Sequence, residues 1–172
     1  FRTRFIEKFW PELAEMSGIE HSKEYHPEGN VWEHTLEALK HRKNDDLILS
    51  MALLLHDIGK TAASGSKEKP FMEHAEIGVN LGRTFLKRLS FSRTFIDDVV
   101  FLIKYHMLPA AMEKLPVYRM EKALQHPLFP VLLDTICDYD RMICLYSIFP
   151  KLQELERRPG APVPTRPCFD PE

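Results

Sequence analysis

An adjacent His56-Asp57 pair stands at the end of the apolar stretch Leu47-Ile48-Leu49-Ser50-Met51-Ala52-Leu53-Leu54-Leu55, with Gly59 as the expected stop of that helix. A helix of so little polarity belongs in the middle of a folded domain, where a carboxylate and an imidazole are costly unless something pairs them. Neighbouring helical positions lie about 100° apart, so both side chains can lean onto one ion. A bound metal is the economical explanation.

Other candidates follow from asking which histidines and acids share the apolar face of their own helix. His106 extends the stripe Ile96, Val99, Ile103, and His74 opens the stripe His74, Ile77, Leu81, Phe85. Asp140 falls among Leu133, Ile136, Cys137, Ile143 and Cys144, whereas Asp138 shares the opposite face with Asp134 and Arg141, so periodicity selects Asp140. His34 is not selected this way, because Trp32, Leu36 and Leu39 form the apolar face opposite it. One inward histidine is more often a core residue than a ligand. Several imidazoles and two carboxylates turned inward in one small domain are hard to bury without a cation. Nitrogen and oxygen donors without thiolate suit a divalent transition metal, one of Mn, Fe, Co, Ni or Zn, and Mg is the poorer match. The set suits one ion, or two with Asp57 bridging; a pair about 3.5–4 Å apart clamps the attacking and leaving oxygens of a phosphoryl displacement.

The elements that must position these residues read as helices. Apolar residues recur at helical spacing and period-two alternation is scarce, so the fold is expected to be all-α. Helices are predicted near 3–16, 31–42, 46–58, 72–89, 92–107, 117–125, 128–147 and 150–157. Residues 18–30 and 61–70 read as loops rich in turn formers, and the second is predicted to be able to move. The 172 residues suit one compact domain over 1–158. Five prolines among the last fourteen residues then predict an extended tail over 159–172.

Composition narrows the functions. A net charge of -2 supplies no global positive field for nucleic acid, so RNA is not indicated by charge and would need a local patch. Arg83, Lys87, Arg88 and Arg93 could supply one, although a solvated helix face explains them as well. No apolar run approaches the ~20 residues that cross a bilayer, so no membrane partner is expected. Three cysteines without metal-type spacing do not form a disulfide framework and point to the cytoplasm. The chain opens on Phe1 rather than Met, as a piece of a longer enzyme would. Cys137, Cys144, Trp10 and Trp32 read as core, and His21, His26, His41 and His126 as surface or capping residues.

The order His34, His56-Asp57, Asp140 resembles the HD superfamily of metal-dependent phosphohydrolases, and LLLHDIGKT around the doublet is its most typical part. Within that superfamily YHPEGNVWEHTL, LLHDIGK and KPFMEHAEIG are similar to the HD domain of bacterial tRNA nucleotidyltransferases, the CCA-adding enzymes. The resemblance covers residues 10 to 108 well and reaches the last helix through Ile136-Cys137-Asp138-Tyr139-Asp140. It implies a compact HD-domain helical bundle and brings His34 into the ligand set. His74 and His106 fall where binuclear members have two extra histidines. The nucleotidyltransferase head, with its Asp-x-Asp pair on strands, has no counterpart here, so polymerisation is not expected.

The function expected is hydrolysis of a nucleotide or other small phosphoester. His34, His56, Asp57 and Asp140 would hold a metal that acidifies a water and polarises a phosphoryl oxygen. His56, Asp57 and Lys60 are the expected catalytic residues; Lys60, His74 and His106 are expected to meet the substrate, the two histidines alternatively holding a second ion. The competing reading is an RNA- or partner-binding HD module with a structural metal, a fragment of a tRNA nucleotidyltransferase-like protein. Oligomeric state is not legible.

Overall fold

The computed structural model describes residues 4–20, 29–42, 45–63, 73–108, 115 and 117–136. These are helical throughout, as expected: α1 (Phe5–Phe9), α2 (Pro11–Ala14), a 3-10 turn (Glu15–Gly18), α3 (Val31–Lys40), α4 (Leu47–Leu55), α5 (Lys60–Ala63), α6 (His74–Arg88), α7 (Arg93–Tyr105), α8 (Val117–Leu124) and α9 (Phe129–Ile136). No strand occurs among the described residues, only an isolated antiparallel bridge between Glu20 and Asn30. The chain divides into two compact units, Phe1–Lys104 and Tyr105–Glu172.

Capping sets the starts of the helices nearest the His-Asp pair. The Asn30 side chain accepts from the Glu33 N–H at 2.9 Å and opens α3, and Asp46 does the same for Leu49, at 2.9 Å, to open α4. Val31 N–H donates to Ile19 at 3.0 Å, which ties the entry of α3 to the preceding segment. Ser92 Oγ accepts from Phe95 N–H at 3.2 Å at the start of α7.

Two expectations about element boundaries are corrected. The helix predicted over 3–16 breaks at Trp10, which takes φ -136° and ψ 61° before Pro11. A proline ring pushes the preceding residue out of the helical region, and Pro11 then serves as the first residue of α2. The helix predicted over 46–58 ends at Leu55; residues 56–59 form turns and Lys60–Ala63 coils again, where a loop was expected. Gly59 has no positive φ, so it is not the left-handed helix stop that the sequence suggested.

Gly59 is required for space instead. A Cβ there would run into the His74 carbonyl and come within 2.6 Å of the Gly78 nitrogen. Gly78 and Gly82 continue this close approach, since added Cβ atoms would meet Ile103 of α7 at 3.2 and 2.8 Å. The buried lane of α6 is therefore His74, Gly78, Gly82, Phe85 and Leu86, while Ile77 and Leu81, expected to share the stripe of His74, are only half-buried. α3 behaves alike: Val31 and Thr35 are its fully buried residues, and Trp32, Leu36 and Leu39 are half-buried. Trp10 is also half-buried, edge-on to Phe5 and with its centroid 6.0 Å from that of Phe85.

The core of the first unit gathers Leu13, Met16, Val31, Leu53, Leu55, Ile58, Phe85, Leu86, Ile96, Val99 and Ile103. In the second unit Met120, Ala123 and Leu124 of α8 and Phe129 and Leu132 of α9 are buried. His126 lies between these helices, where its Nδ1 accepts from Leu128 N–H at 3.3 Å, a capping role as expected. The helix predicted over 128–147 is described as far as Ile136. Asp140, Asp138, Cys137, Cys144, the helix expected over 150–157 and the 159–172 tail lie outside the described residues, as do His21 and His26.

Candidate metal centre

Asp57 lies in the first turn after α4, where Ile58 N–H donates to Leu55 at 3.1 Å and Lys60 N–H to Asp57 at 3.0 Å. Asp57 is buried there, its side chain only 2% exposed. A bare carboxylate that deep would be prohibitively costly, so the groups around it decide what the site is.

Among the described residues of the first unit, three imidazoles and an ammonium face it, from three separate stretches of chain. His56 Nε2 lies 3.3 Å and His34 Nε2, on α3, 3.9 Å from Asp57 Oδ2. His74 Nε2, at the first residue of α6, is 3.4 Å from Oδ1. Lys60 Nζ is 2.6 Å from Oδ2 and buried with it. The His34 and His56 rings stand 5.3 Å apart. The packing of Gly59 against the start of α6 is what brings His74 to this carboxylate.

These distances bear on whether a cation fits. Good charge-assisted hydrogen bonds are shorter, about 2.7–2.9 Å for N–H to carboxylate. Two donor atoms each about 2.1 Å from one tetrahedral ion stand about 3.4 Å apart, the spacing that His56 and His74 keep from Asp57. One donor atom from each of His34, His56 and Asp57 lies within 4.8 Å of the others, so this group could hold a metal ion.

The ring of His56 gives a second, independent argument. Its Nδ1 is 2.7 Å from the Leu53 carbonyl, which can only accept, so Nδ1 carries the proton. In the neutral ring Nε2 then presents a lone pair toward Asp57 Oδ2, and a proton or a metal ion must lie between two such acceptors. Burial disfavours the charged ring, yet the charge and hydrogen bond of Asp57, helped by the Leu53 carbonyl, outweigh it and leave the pKa raised, with Lys60 opposing. The donor set therefore fits a divalent metal ion, and orientation of a ligand histidine through its other nitrogen is the usual supporting contact.

Of the residues singled out from sequence, His34, His56, Asp57, Lys60 and His74 are gathered around one carboxylate in the first unit. His106 belongs to the second unit, where it follows the end of α7 and is buried. Asp140 lies outside the described residues. Periodicity passed over His34 because it weighs side-chain hydrophobicity, and α3 turns its Val31 and Thr35 side inward. Thr35 escaped notice altogether; its hydroxyl is fully buried and has no hydrogen-bond partner among the described residues. Gly59 and Gly78 escaped for a related reason, since closeness of approach leaves no hydrophobic signal.

Three of the four basic residues weighed as an RNA patch are ion-paired, to two carboxylates. Arg83 and Arg93 pair with Asp97 at 2.7 and 3.8 Å, and Arg88 pairs with Glu12 at 2.6 Å. No helix among the described residues is long and apolar enough to cross a membrane.

Comparison with known proteins matches residues 24–142 to the HD domain family. Among curated proteins, the "Multifunctional CCA protein" of Alkalilimnicola ehrlichii is 36% identical over 99 residues, 56% of this chain and 24% of its own length. The "A-adding tRNA nucleotidyltransferase" of Deinococcus radiodurans is 30% identical over 173 residues, 90% of this chain and 39% of the relative. The "CC-adding tRNA nucleotidyltransferase" of Thermus thermophilus is 30% identical over 114 residues, 62% and 26%. The chain thus spans about a quarter to two fifths of the length of these relatives. No solved structure matches.

Proposed function

The chain belongs to the HD domain family, and from that premise we propose that it is a metal-dependent phosphohydrolase acting on a nucleotide or another small phosphoester, cyclic 2',3'-phosphodiesters included. The observation that carries this reading is the buried Asp57 carboxylate faced by the Nε2 atoms of His34, His56 and His74. His34, His56 and Asp57 hold the ion together with Asp140, and His74 and His106 hold a second ion or meet the substrate phosphate. When bound, the metal supplies acidity to a water and polarises a phosphoryl oxygen.

The protein's own groups do the rest. Leu53 holds the His56 ring by its Nδ1 proton, which keeps Nε2 aimed at the Asp57 side of the site. Asp57 draws the three imidazoles together and neutralises positive charge that would otherwise be buried. Lys60, next to Asp57, supplies a cation for the substrate phosphate. Two of the relatives are named as tRNA nucleotidyltransferases, which supports a nucleotide or RNA-derived substrate. Three cysteines without a disulfide framework agree with the cytoplasm as the compartment.

Elemental analysis of the purified protein, combined with a metal-supplemented screen of phosphomonoesters, cyclic 2',3'-nucleotides and dinucleoside polyphosphates, tests this. The expected result is about one or two transition-metal ions per chain and turnover abolished by a chelator. Bound metal with no turnover of any substrate, together with salt-sensitive binding of tRNA-like RNA, would replace the hydrolase with the RNA-binding module.

A further inference from the structure

Lys60 presents the feature that the proposed hydrolase leaves unexplained. An ammonium meant for substrate would be expected at a mouth open to solvent. Its side chain is instead 10% exposed, and its Nζ is 2.6 Å from Asp57 Oδ2, closer than any of the three histidines stands to that carboxylate. That oxygen is also the one that His34 and His56 face, so it is the oxygen a cation held by His34, His56 and Asp57 would use.

We propose that Lys60 competes with the metal for Asp57 Oδ2, so that loading the ion drives the Lys60 ammonium off the carboxylate and makes it available to an anionic phosphoester. This inference rests on the metal-dependent reading above. Two cations on one carboxylate oxygen repel strongly in a site as poorly hydrated as this one. A monovalent ammonium is the weaker claimant against a divalent ion held by several donors. The i, i+3 spacing of Asp57 and Lys60 across the turn that leads into α5 lets the long, unbranched side chain swing away without moving the backbone. The arrangement couples the two halves of the site, because the phosphate-binding cation is released only where a metal is present to act on that phosphate.

The test is metal affinity, read without any substrate. Binding of Mn(II) and Co(II) to the purified chain is measured by titration calorimetry and by the visible spectrum of bound Co(II), for wild type, Lys60→Met and Lys60→Arg. Lys60→Met is expected to bind at least tenfold more tightly than wild type, and Lys60→Arg no more tightly. In the wild type, an amine-reactive reagent followed by peptide mass spectrometry should modify Lys60 slowly without metal and several times faster with Mn(II). That measurement needs no variant, so a poorly folded Lys60→Met does not block the test. Equal or weaker binding by a Lys60→Met that keeps the wild-type helical circular dichroism, or labelling of wild-type Lys60 that is unchanged or slowed by metal, overturns the competition. Absence of binding in all three proteins removes the metal reading itself, an outcome readily told apart from the other.

Discussion

Two clusters in the first unit are built from the same residue types. On α3, Glu37 pairs with Lys40 at 2.8 Å and with His41 at 3.0 Å; after α4, Asp57 pairs with Lys60 at 2.6 Å and faces three histidines. In each, a carboxylate precedes a lysine by three positions. The α3 cluster lies within one turn of one helix, and its side chains are 37% (Glu37), 70% (Lys40) and 66% (His41) exposed. The other draws on α3, the turn after α4 and the start of α6, and its carboxylate is 2% exposed. Water can serve the first cluster whatever becomes of its partners. The second has only its neighbours, so its charges must be matched by protein or by an ion. Burial and convergence from separate elements, and not residue type, distinguish a candidate site from a solvated helix face.

The sharpest way to break that contrast is to neutralise each carboxylate in turn. Asp57→Asn removes the charge of the carboxylate that Lys60 and three imidazoles face, and loss of one partner of a buried pair costs about 3–5 kcal/mol. Metal affinity should fall by more than about 100-fold, since removing even a supporting group of a metal ligand costs 10- to 100-fold. Denaturant unfolding and metal titration read the two effects. Retention of tight metal binding by Asp57→Asn would show that Asp57 is not a ligand.

A smaller effect separates the two regions by shape rather than charge. Gly59→Ala places a Cβ against the His74 carbonyl, so the start of α6 must shift or the turn must open. Overpacking of this kind costs about 1–3 kcal/mol. The shift also carries His74 away from Asp57, so metal affinity should fall along with stability. Gly18→Ala is the control, because a Cβ at Gly18 meets nothing within 4 Å. Equal melting temperatures for the two variants would refute the close approach.

These contrasts explain which parts of the molecule were legible in the sequence. Helix positions were legible because periodicity and caps such as Asn30 and Asp46 act locally. The break at Trp10 was missed although Pro11 announces it, because the apolar pattern of 3–16 runs on through the kink. His56, Asp57 and His74 were legible because ionisable residues among apolar ones are expensive, and expense shows in a one-dimensional pattern. His34 needed the family resemblance, since α3 buries its less apolar side. The glycine lane of α6 was invisible to hydrophobic weighting, although it sets where His74 stands. Lys60 could not be told from Lys40 by spacing; only burial separates them.

The smallest expected effect belongs to Glu37, and its pH dependence sharpens the comparison from the exposed side. The Lys40 hydrogen bond, then that of His41, holds the Glu37 carboxyl below its ordinary value of 4.5. A depressed folded-state pKa means that the interaction stabilises the protein above about pH 4.5 and is lost as pH falls through the folded value. Glu37→Gln should therefore differ slightly from wild type in denaturant midpoint at pH 7, and the difference should vanish in acid. About 1 M salt should erase it at pH 7 as well, because screening at that strength acts within about 3 Å. Metal affinity should be unchanged within about twofold, as for a surface substitution remote from the ligands. The same salt should leave most of the Asp57→Asn deficit in place, because buried charges are screened far less. A Glu37→Gln variant that lost metal would mean that the solvated cluster and the buried one are coupled through α3, the helix that carries both His34 and Glu37.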